Sequence, residues 1–414
     1  MKNVLIIYPH WPPSNLAGVH RARLISNYLP DFGWHPIVVA VHEDYYEEEV
    51  DPDFLKTVSD KTEVIKVAAK SIQTSNVLIG DISLRAFSQL KQKAIEIIKN
   101  RKIDFIWVPI PSYYTAIIAR QVYNVTKVPY GIDYIDPWVK PKDVAGSFLS
   151  KAWLSNQVAK LLEPYAVSKA SLISGVATSY YQPVLDRNFK NKRIHHVGMP
   201  YGFDPNDHKI ILEGVELPWS KETNAYLYAG AMLPKSVLFI KLLFKSIKKK
   251  VENGSWDKAN KLYFIGTKTA RNNSIKKLAE EYNIGDVVFE TSERLPFLQI
   301  LYFLSQAKGV LVLGGTEKHY TASKVFQNIL SHRPIFAIFH HESSAIITLK
   351  NANADLYTVK YYEERSELKL EDQVYKTFSA YLENTEWNPD LNGINSYSCK
   401  ESTRELVKAI ERVI

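Results

Sequence analysis

LGGTEKHYTASKVFQNILSHRPIFAI, residues Leu313–Ile338, joins a strand end, a polar loop, a helix start and the next strand. The apolar run Gly309 to Leu313 just before it reads as a strand buried on both faces, and Gly314-Gly315 ends it. A helix is expected to open near Thr321-Ala322-Ser323. Serine or threonine there can cap it, and the unpaired N–H groups of its first turn form a site for an anion such as phosphate. Lys324 adds a positive charge at the same spot. Arg333 to Ile338 returns as the following strand, which puts the loop at the carboxyl end of a parallel sheet, where ligands of open α/β folds bind. The same residues also fit a plain surface loop between two core elements.

The flanking sequence repeats this alternation. Upstream, Ala225 to Gly230 is a strand, Ser236 to Val251 a basic amphipathic helix, and Leu262 to Gly266 a strand ended by Thr267-Lys268. Ser274 to Tyr282 is helical, Val287 to Phe289 a strand, and Arg294-Leu295-Pro296 introduces the helix Phe297 to Gln306. Ser396 to Ile414 is a last helix.

The first half has the same grammar. Val4 to Ile7 is a strand that breaks into the Pro-rich loop YPHWPPSNLAG; a helix follows from Gly18, with Arg21 in its first turn. A cation there is unfavourable for the helix, so an anion would relieve it; pairing with a carboxylate or exposure to solvent would serve equally. Ile37 to Val41 completes a βαβ unit. The acidic run Glu43 to Asp53 reads as a solvated loop, and its Asp51-Pro52-Asp53 is discounted as a metal motif, so no metal site is expected. Leu84 to Ile98 is an amphipathic helix with Leu90, Ala94, Ile97 and Ile98 inward and Arg85, Lys91, Lys93 and Lys99 outward. Phe105 to Val108 is a strand closed by Pro109-Ile110-Pro111-Ser112. A further strand from Val128 leads to Asp136-Pro137-Trp138, where Asp136 can bind an acceptor hydroxyl or cap a turn. A helix spans Trp153 to Lys169, Ala170 to Val176 is a strand, and Ile194 to Pro200 is another. In it the adjacent His195 and His196 point to opposite faces and read as structural.

Two α/β halves follow. Pro205 to Glu222 is polar and irregular, which sets the division at residues 1–208, rejoined by the helix 396–414, and residues 209–395. With 414 residues, 46% hydrophobic and 23% charged, the chain is an ordinary globular protein of two domains. A net charge of +8 favours anionic partners: nucleotide phosphates, nucleic acid or an anionic membrane face. The single cysteine, Cys399, permits no internal disulfide or thiolate metal cluster and points to a reducing cytoplasm. The apolar run in MKNVLIIYPHWPP is too short for a signal peptide, and no stretch reaches the roughly 20 apolar residues that span a bilayer. A soluble or peripheral cytoplasmic protein is expected, resting at most on the inner membrane face.

The doubled βα pattern resembles the GT-B glycosyltransferases, specifically the nucleotide-sugar-dependent enzymes of family four, over nearly the whole chain. Tyr8-Pro9, Gly18-Val19-His20-Arg21 and Tyr28 to Trp34 look like that family's opening signature. Asp133-Tyr134-Ile135-Asp136-Pro137-Trp138 is similar to the Asp-x-Arg-Asp-Pro-Trp element of a bacterial surface-polysaccharide branch, with Ile135 in place of arginine. Tyr201-Gly202-Phe203-Asp204 resembles the element that ends the first domain. Tyr228-Ala229-Gly230 with Lys235 occupies the place of the Gly-Arg-x-x-x-Lys diphosphate grip, and Met232 stands where its arginine is expected. Gly266-Thr267-Lys268 matches the turn after the second strand, and Arg294-Leu295-Pro296 the loop along the nucleobase. Of two family glutamates, the second aligns with Gln327 and the first with His319; Glu317 is an alternative at a shifted spacing.

The resemblance implies two Rossmann-like domains facing across a cleft, with the C-terminal helix returning to the first. It implies a retaining, metal-independent hexosyltransferase-type enzyme with a nucleoside-diphosphate sugar as co-substrate and no other cofactor. Its acceptor would be a saccharide or lipid-linked saccharide in surface polysaccharide synthesis. Catalytic roles fall to Asp136, His319 and Lys324. Donor-binding roles fall to Gly18, Arg21, Gly230, Lys235, Gly266, Thr267, Lys268, Arg294, Leu295, Glu317, Thr321, Ser323 and Gln327. The basic helix Lys235 to Lys250, or the face from Arg85 to Lys102, could rest on anionic lipid. Rival readings are a non-catalytic GT-B module that binds nucleotide or saccharide within a synthesis complex, and a nucleotide-sugar epimerase. A nucleic-acid binder is disfavoured, because no basic-aromatic groove motif stands out.

Overall fold

Short apolar runs bounded by glycine, proline and charge become parallel strands once helices cover both faces of the sheet they form. The computed structural model describes residues 1–71, 81–141, 146–190, 193–232, 234–268, 274–318, 324–383 and 387–414. Contacts divide the chain into unit 1, Met1–Asp204 with Ser396–Ile414, and unit 2, Pro205–Asn395. Residues 205–208 therefore fall with unit 2.

Unit 1 runs β1 (Lys2–Ile7), α1 (Ala17–Tyr28), β2 (Trp34–Val41), β3 (Glu63–Val67), α2 (Ile82–Arg85), α3 (Phe87–Asn100), β4 (Phe105–Ile110), α4 (Thr115–Thr126), β5 (Tyr130–Tyr134), α5 (Lys151–Val167), β6 (Leu172–Gly175), α6 (Thr178–Asn188) and β7 (His195–Gly198). Its strands form one parallel sheet in the order β3-β2-β1-β4-β5-β6-β7. Val4 pairs with Pro36 of β2 and with Phe105 of β4, which fixes β1 at the centre. Its core includes Leu5, Ile7, Val39, Ile106, Val108 and Ile132, all fully buried.

Unit 2 runs β8 (Asn224–Ala229), α7 (Val237–Glu252), β9 (Asn260–Ile265), α8 (Ile275–Glu281), β10 (Val288–Thr291), α9 (Phe297–Gln306), β11 (Gly309–Leu313), α10 (Lys324–Leu330), β12 (Ile335–His340), α11 (Ser344–Asn351), β13 (Tyr357–Tyr361) and α12 (Glu367–Leu382). The sheet order is β10-β9-β8-β11-β12-β13, again parallel. Leu227 pairs with Val310 of β11 and Tyr263 of β9. Phe244, Phe264, Phe336 and Phe378 lie in its core.

The last helix, α13 (Cys399–Glu411), belongs to unit 1 and packs on α1. Cys399, Leu406, Val407 and Ile410 are buried on its inner face, and Cys399 N–H donates to Phe203 O at 3.0 Å. Gly202 makes this junction possible: its φ is +94°, and a Cβ there would meet Cys399 Cα at 2.9 Å.

Three expectations need correction. The run Glu43 to Asp53 is not a purely solvated loop: Asp51 is buried and accepts from Asn15 Nδ2, and Glu48 accepts from the buried Ser14. Arg85 turns inward, donating to Lys70 O at 3.0 Å and Tyr45 O at 2.9 Å, because it closes the separate turn α2 that precedes α3. Pro109 and Ile110 are the last residues of β4 and not a loop. The basic face of α7 is also answered from within the unit. Lys245 pairs with Glu367 at 3.0 Å and Glu371 at 2.8 Å of α12, and Lys249 lies over the Tyr375 ring at 4.3 Å.

Candidate functional site

Chain order reverses direction across the unit 2 sheet between β8 and β11, and the carboxyl ends of strands at such a switch point are where open α/β folds bind ligands. Gly230 follows β8 with φ +120°, and a Cβ there would collide with Lys324 Nζ. The missing side chain makes room for the lysine. Lys324 Nζ donates to Ala231 O at 3.2 Å and lies 5.2 Å from the centroid of the Tyr228 ring. Among the described residues no carboxylate pairs with it, and burial lowers its pKa to about 8. A half-buried ammonium held only by a carbonyl and a ring is incompletely compensated, and an anion at the switch point would complete its shell.

Lys235 sits on the same rim. Its Nζ pairs with Glu317 Oε1 at 2.5 Å, and Lys235 O accepts from Thr316 N–H at 3.4 Å, so the loops after β8 and β11 are clasped across the switch point. Met232, which stands where the arginine of this grip is expected, is buried. Gly266, with φ +73°, ends β9 and brings its loop alongside Gly230. The buried Thr267 donates through Oγ1 to Glu290 Oε1 at 2.6 Å. Glu290 Oε2 also accepts from Ser274 Oγ at 2.8 Å and Lys276 N–H at 3.0 Å. Burial pushes the Glu290 carboxyl up, but the hydrogen bonds outweigh it and leave the pKa below the usual range. Lys268 pairs on the surface with Glu293 at 3.0 Å. Arg294 is exposed and Leu295 half-buried before α9. Gln327, on α10, accepts at Oε1 from His208 Nε2 at 2.7 Å, and burial lowers the pKa of that imidazole. His319, Thr321 and Ser323 lie outside the described residues.

In unit 1 the corresponding reversal falls between β1 and β4. A Cβ on Gly18 would collide with Tyr8 Oη and come within 3.6 Å of Pro111 O, so α1 begins wedged against the loops after both strands. Asp136 lies just past β5 and is exposed, yet the partial burial of its carboxyl raises its pKa against the pull of Lys140. Tyr113 stacks on Trp138 at 5.7 Å beside it.

Arg21 is not at this rim as a ligand for an incoming anion. It is fully buried; Nε donates to Asp133 Oδ2 at 3.0 Å, and Nη1 donates to Pro200 O and to Tyr201 O. Asp133 also accepts from Ser174 Oγ at 2.6 Å. The guanidinium is saturated by the interior and ties α1, β5 and the 200–201 segment together. Two residues with no expected role thus matter: Glu290 as the holder of Thr267, and His208 as the partner of Gln327.

A hollow of about 580 Å³ at the outer edge of unit 1, lined by Leu185, Phe189 and Arg193 to His196, includes none of the expected site residues. Among the described residues no group of three or more His, Cys, Asp or Glu is placed to hold a metal ion.

The architecture has solved counterparts. A glycosyltransferase from Rickettsia africae superposes with TM-score 0.58 at 12% identity, covering 100% of this chain and 98% of that one. HepE from Anabaena, solved with UDP and glucose, gives 0.56 at 10% identity with both chains covered completely. A putative UDP-N-acetylglucosamine 2-epimerase from Listeria monocytogenes gives 0.55 at 12% identity, covering 99% and 96%. This chain has the GT-B fold. No family model and no curated protein matches the sequence. Within the GT-B fold, the switch point between β8 and β11 belongs to the second Rossmann-like domain and the Asp136 loop to the first.

Proposed function

We infer that the protein is a glycosyltransferase using a nucleoside-diphosphate sugar, with UDP as the carrier. Support for UDP is indirect: HepE is described with UDP and glucose, and the Listeria protein is described as acting on UDP-N-acetylglucosamine. The observation that carries the reading is Lys324, an ammonium without a carboxylate partner among the described residues, beside a side-chain-free Gly230 at the switch point of unit 2.

Transfer breaks the bond between the anomeric carbon and the β-phosphate oxygen and forms one to an acceptor hydroxyl oxygen; the hydroxyl proton passes to the departing diphosphate. Negative charge grows on that leaving group. Lys324 and Lys235 are the side chains that answer it, which suits a metal-independent reaction. Retention of anomeric configuration, a hexosyl donor and a family-four affiliation rest on the sequence resemblance. Thr267 and Gln327 take the donor, and Arg294 with Leu295 flank the base. Asp136 orients the acceptor, a saccharide or lipid-linked saccharide in surface polysaccharide synthesis, at the cytoplasmic side of the membrane.

Titration with UDP should raise the melting temperature of the wild type and, at the same concentrations, shift Lys324→Ala much less. Sugar release or transfer from a panel of UDP-sugars then reads the reaction. An unshifted wild type across all nucleoside diphosphates would overturn the assignment.

A second reading, a non-catalytic GT-B module, draws on Gln327 and Lys235 being engaged by His208 and Glu317. Nucleotide binding without product from any donor and acceptor combination would favour it.

A further inference from the structure

We propose that helix α5 of unit 1 docks the protein on an anionic bilayer surface. The inference rests on the proposed function only for the lipid-linked acceptor; the surface itself is read from the fold. Among helices that bury one face, α5 is unusual in what it leaves outside. Leu154, Val158, Leu161 and Tyr165 are 50, 42, 78 and 40% exposed. Their spacing of four, three and four residues makes one stripe along the helix. The opposite face, Asn156, Ala159, Glu163 and Ala166, is the buried one. Phe148 and Leu149, 75 and 64% exposed, extend the apolar strip ahead of the helix, where Ser150 caps it by accepting from Trp153 N–H at 3.2 Å.

Charge decides between lipid and a neutral partner. Lys151 is exposed on the border of the stripe, Lys160 is exposed on the flank next to the buried face, and exposed Lys169 follows the end of the helix. Arg120 of α4 lies over the Tyr165 ring at 5.1 Å. The only carboxylate between residues 146 and 169, Glu163, is buried and bound to Arg187 at 2.7 Å, so it presents no negative charge outward. An apolar stripe bordered by lysines without exposed acid is the pattern of an interfacial helix, in which apolar side chains enter the acyl boundary and lysines meet the headgroups. Neither basic face expected from the sequence offers this. On α7 Lys245 is paired with Glu367 and Glu371, and Arg85 is buried before α3.

The test is co-sedimentation of the full chain with phosphatidylcholine vesicles, with and without phosphatidylglycerol. The wild type should bind only the anionic vesicles and lose binding as salt rises. Leu154→Ser with Leu161→Ser should weaken binding about a hundred-fold, since each leucine withdrawn from the lipid forfeits roughly 1.5 kcal/mol. Lys151→Glu with Lys169→Glu should abolish it. Both variants change only exposed side chains, and their melting temperatures and UDP-induced shifts should match the wild type. Loss of the UDP shift in the wild type would count against the donor reading alone. Wild-type protein that ignores anionic vesicles, or a leucine variant that binds them undiminished, overturns the docking assignment. So would concentration-dependent self-association that the leucine variant removes, which would make the stripe a contact between copies.

Discussion

His208 Nε2 and Gln327 Oε1 are 2.7 Å apart, although 119 residues separate them in the chain. The imidazole orients an amide that stands where relatives are expected to carry a glutamate. Burial lowers the His208 pKa, so the fold favours the neutral ring, which donates from Nε2. His208→Ala should release Gln327 and raise the donor KM about five-fold, as expected for one neutral hydrogen bond, with little change in kcat. A lowered folded pKa means that the unfolded chain binds the extra proton. The stability from neutral His208 is present above its ordinary value of 6.5 and is lost as pH falls below it. Melting temperatures of wild type and His208→Ala measured from pH 8 to 5 should converge toward the acid end.

Lys324 titrates at about 8 in the free protein because burial disfavours its charge. The unfolded chain holds that proton up to the ordinary lysine value of 10.5, so the penalty is full below pH 8 and fades between 8 and 10.5. Lys324→Met should therefore melt higher than the wild type at neutral pH, with the gap closing in alkali, while a given UDP concentration shifts it much less. A diphosphate restores the charge. Wild-type UDP affinity should fall as pH rises above 8, and calorimetry near that pH in two buffers of different ionisation enthalpy should show proton uptake on binding. Losing one charge-assisted contact should weaken UDP binding by about ten- to a hundred-fold.

The elements that sequence displayed best are those whose local signals agree. α9 and β11 begin and end at the residues expected, Phe297 to Gln306 and Gly309 to Leu313, because an amphipathic run and an all-apolar run are each cut off by polar residues or glycine. β3, β13, α4 and α12 escaped notice. β3 is a largely half-exposed five-residue edge strand, and α4 carries Ile, Val and Thr, residues equally at home in a sheet. The glycines at strand ends and Lys324 were legible because strand, turn and helix signals meet there. Arg21 was not, because its counter-charge Asp133 lies 112 residues away and only the folded sheet brings them together. The exposed stripe of α5 was equally hidden, since periodicity marks an apolar face without saying whether anything covers it.

Glu290 accepts from Thr267, Ser274 and Lys276 and so fixes the loop after β9 to the start of α8. Glu290→Gln keeps one acceptor oxygen and loses the charge, which should destabilise the protein by about 1–2 kcal/mol and weaken UDP binding through a looser Thr267. The folded pKa lies below the ordinary 4.5, so the carboxylate stabilises above that value and its contribution is lost as pH falls through the folded pKa. The difference in melting temperature between wild type and variant should accordingly shrink in acid. An acid-independent difference would assign the effect to packing alone.

Lys235 and Glu317 form an ion pair whose side chains are 57 and 54% exposed, so the pair itself contributes at most about 1 kcal/mol. Its consequence for the donor is larger than its consequence for stability, because the lysine expected to grip a diphosphate is occupied by a carboxylate of the facing loop. Glu317→Gln should leave the melting temperature of the free protein within a degree or so, and should tighten UDP binding about two- to five-fold by releasing Lys235. The gain should shrink in high salt, where the competing pair is already screened. Lys235→Ala should reverse it, and the double variant should bind like Lys235→Ala. Isothermal titration of the four proteins closes that cycle. A Glu317→Gln variant that binds UDP more weakly than the wild type would instead make Glu317 a donor contact in its own right.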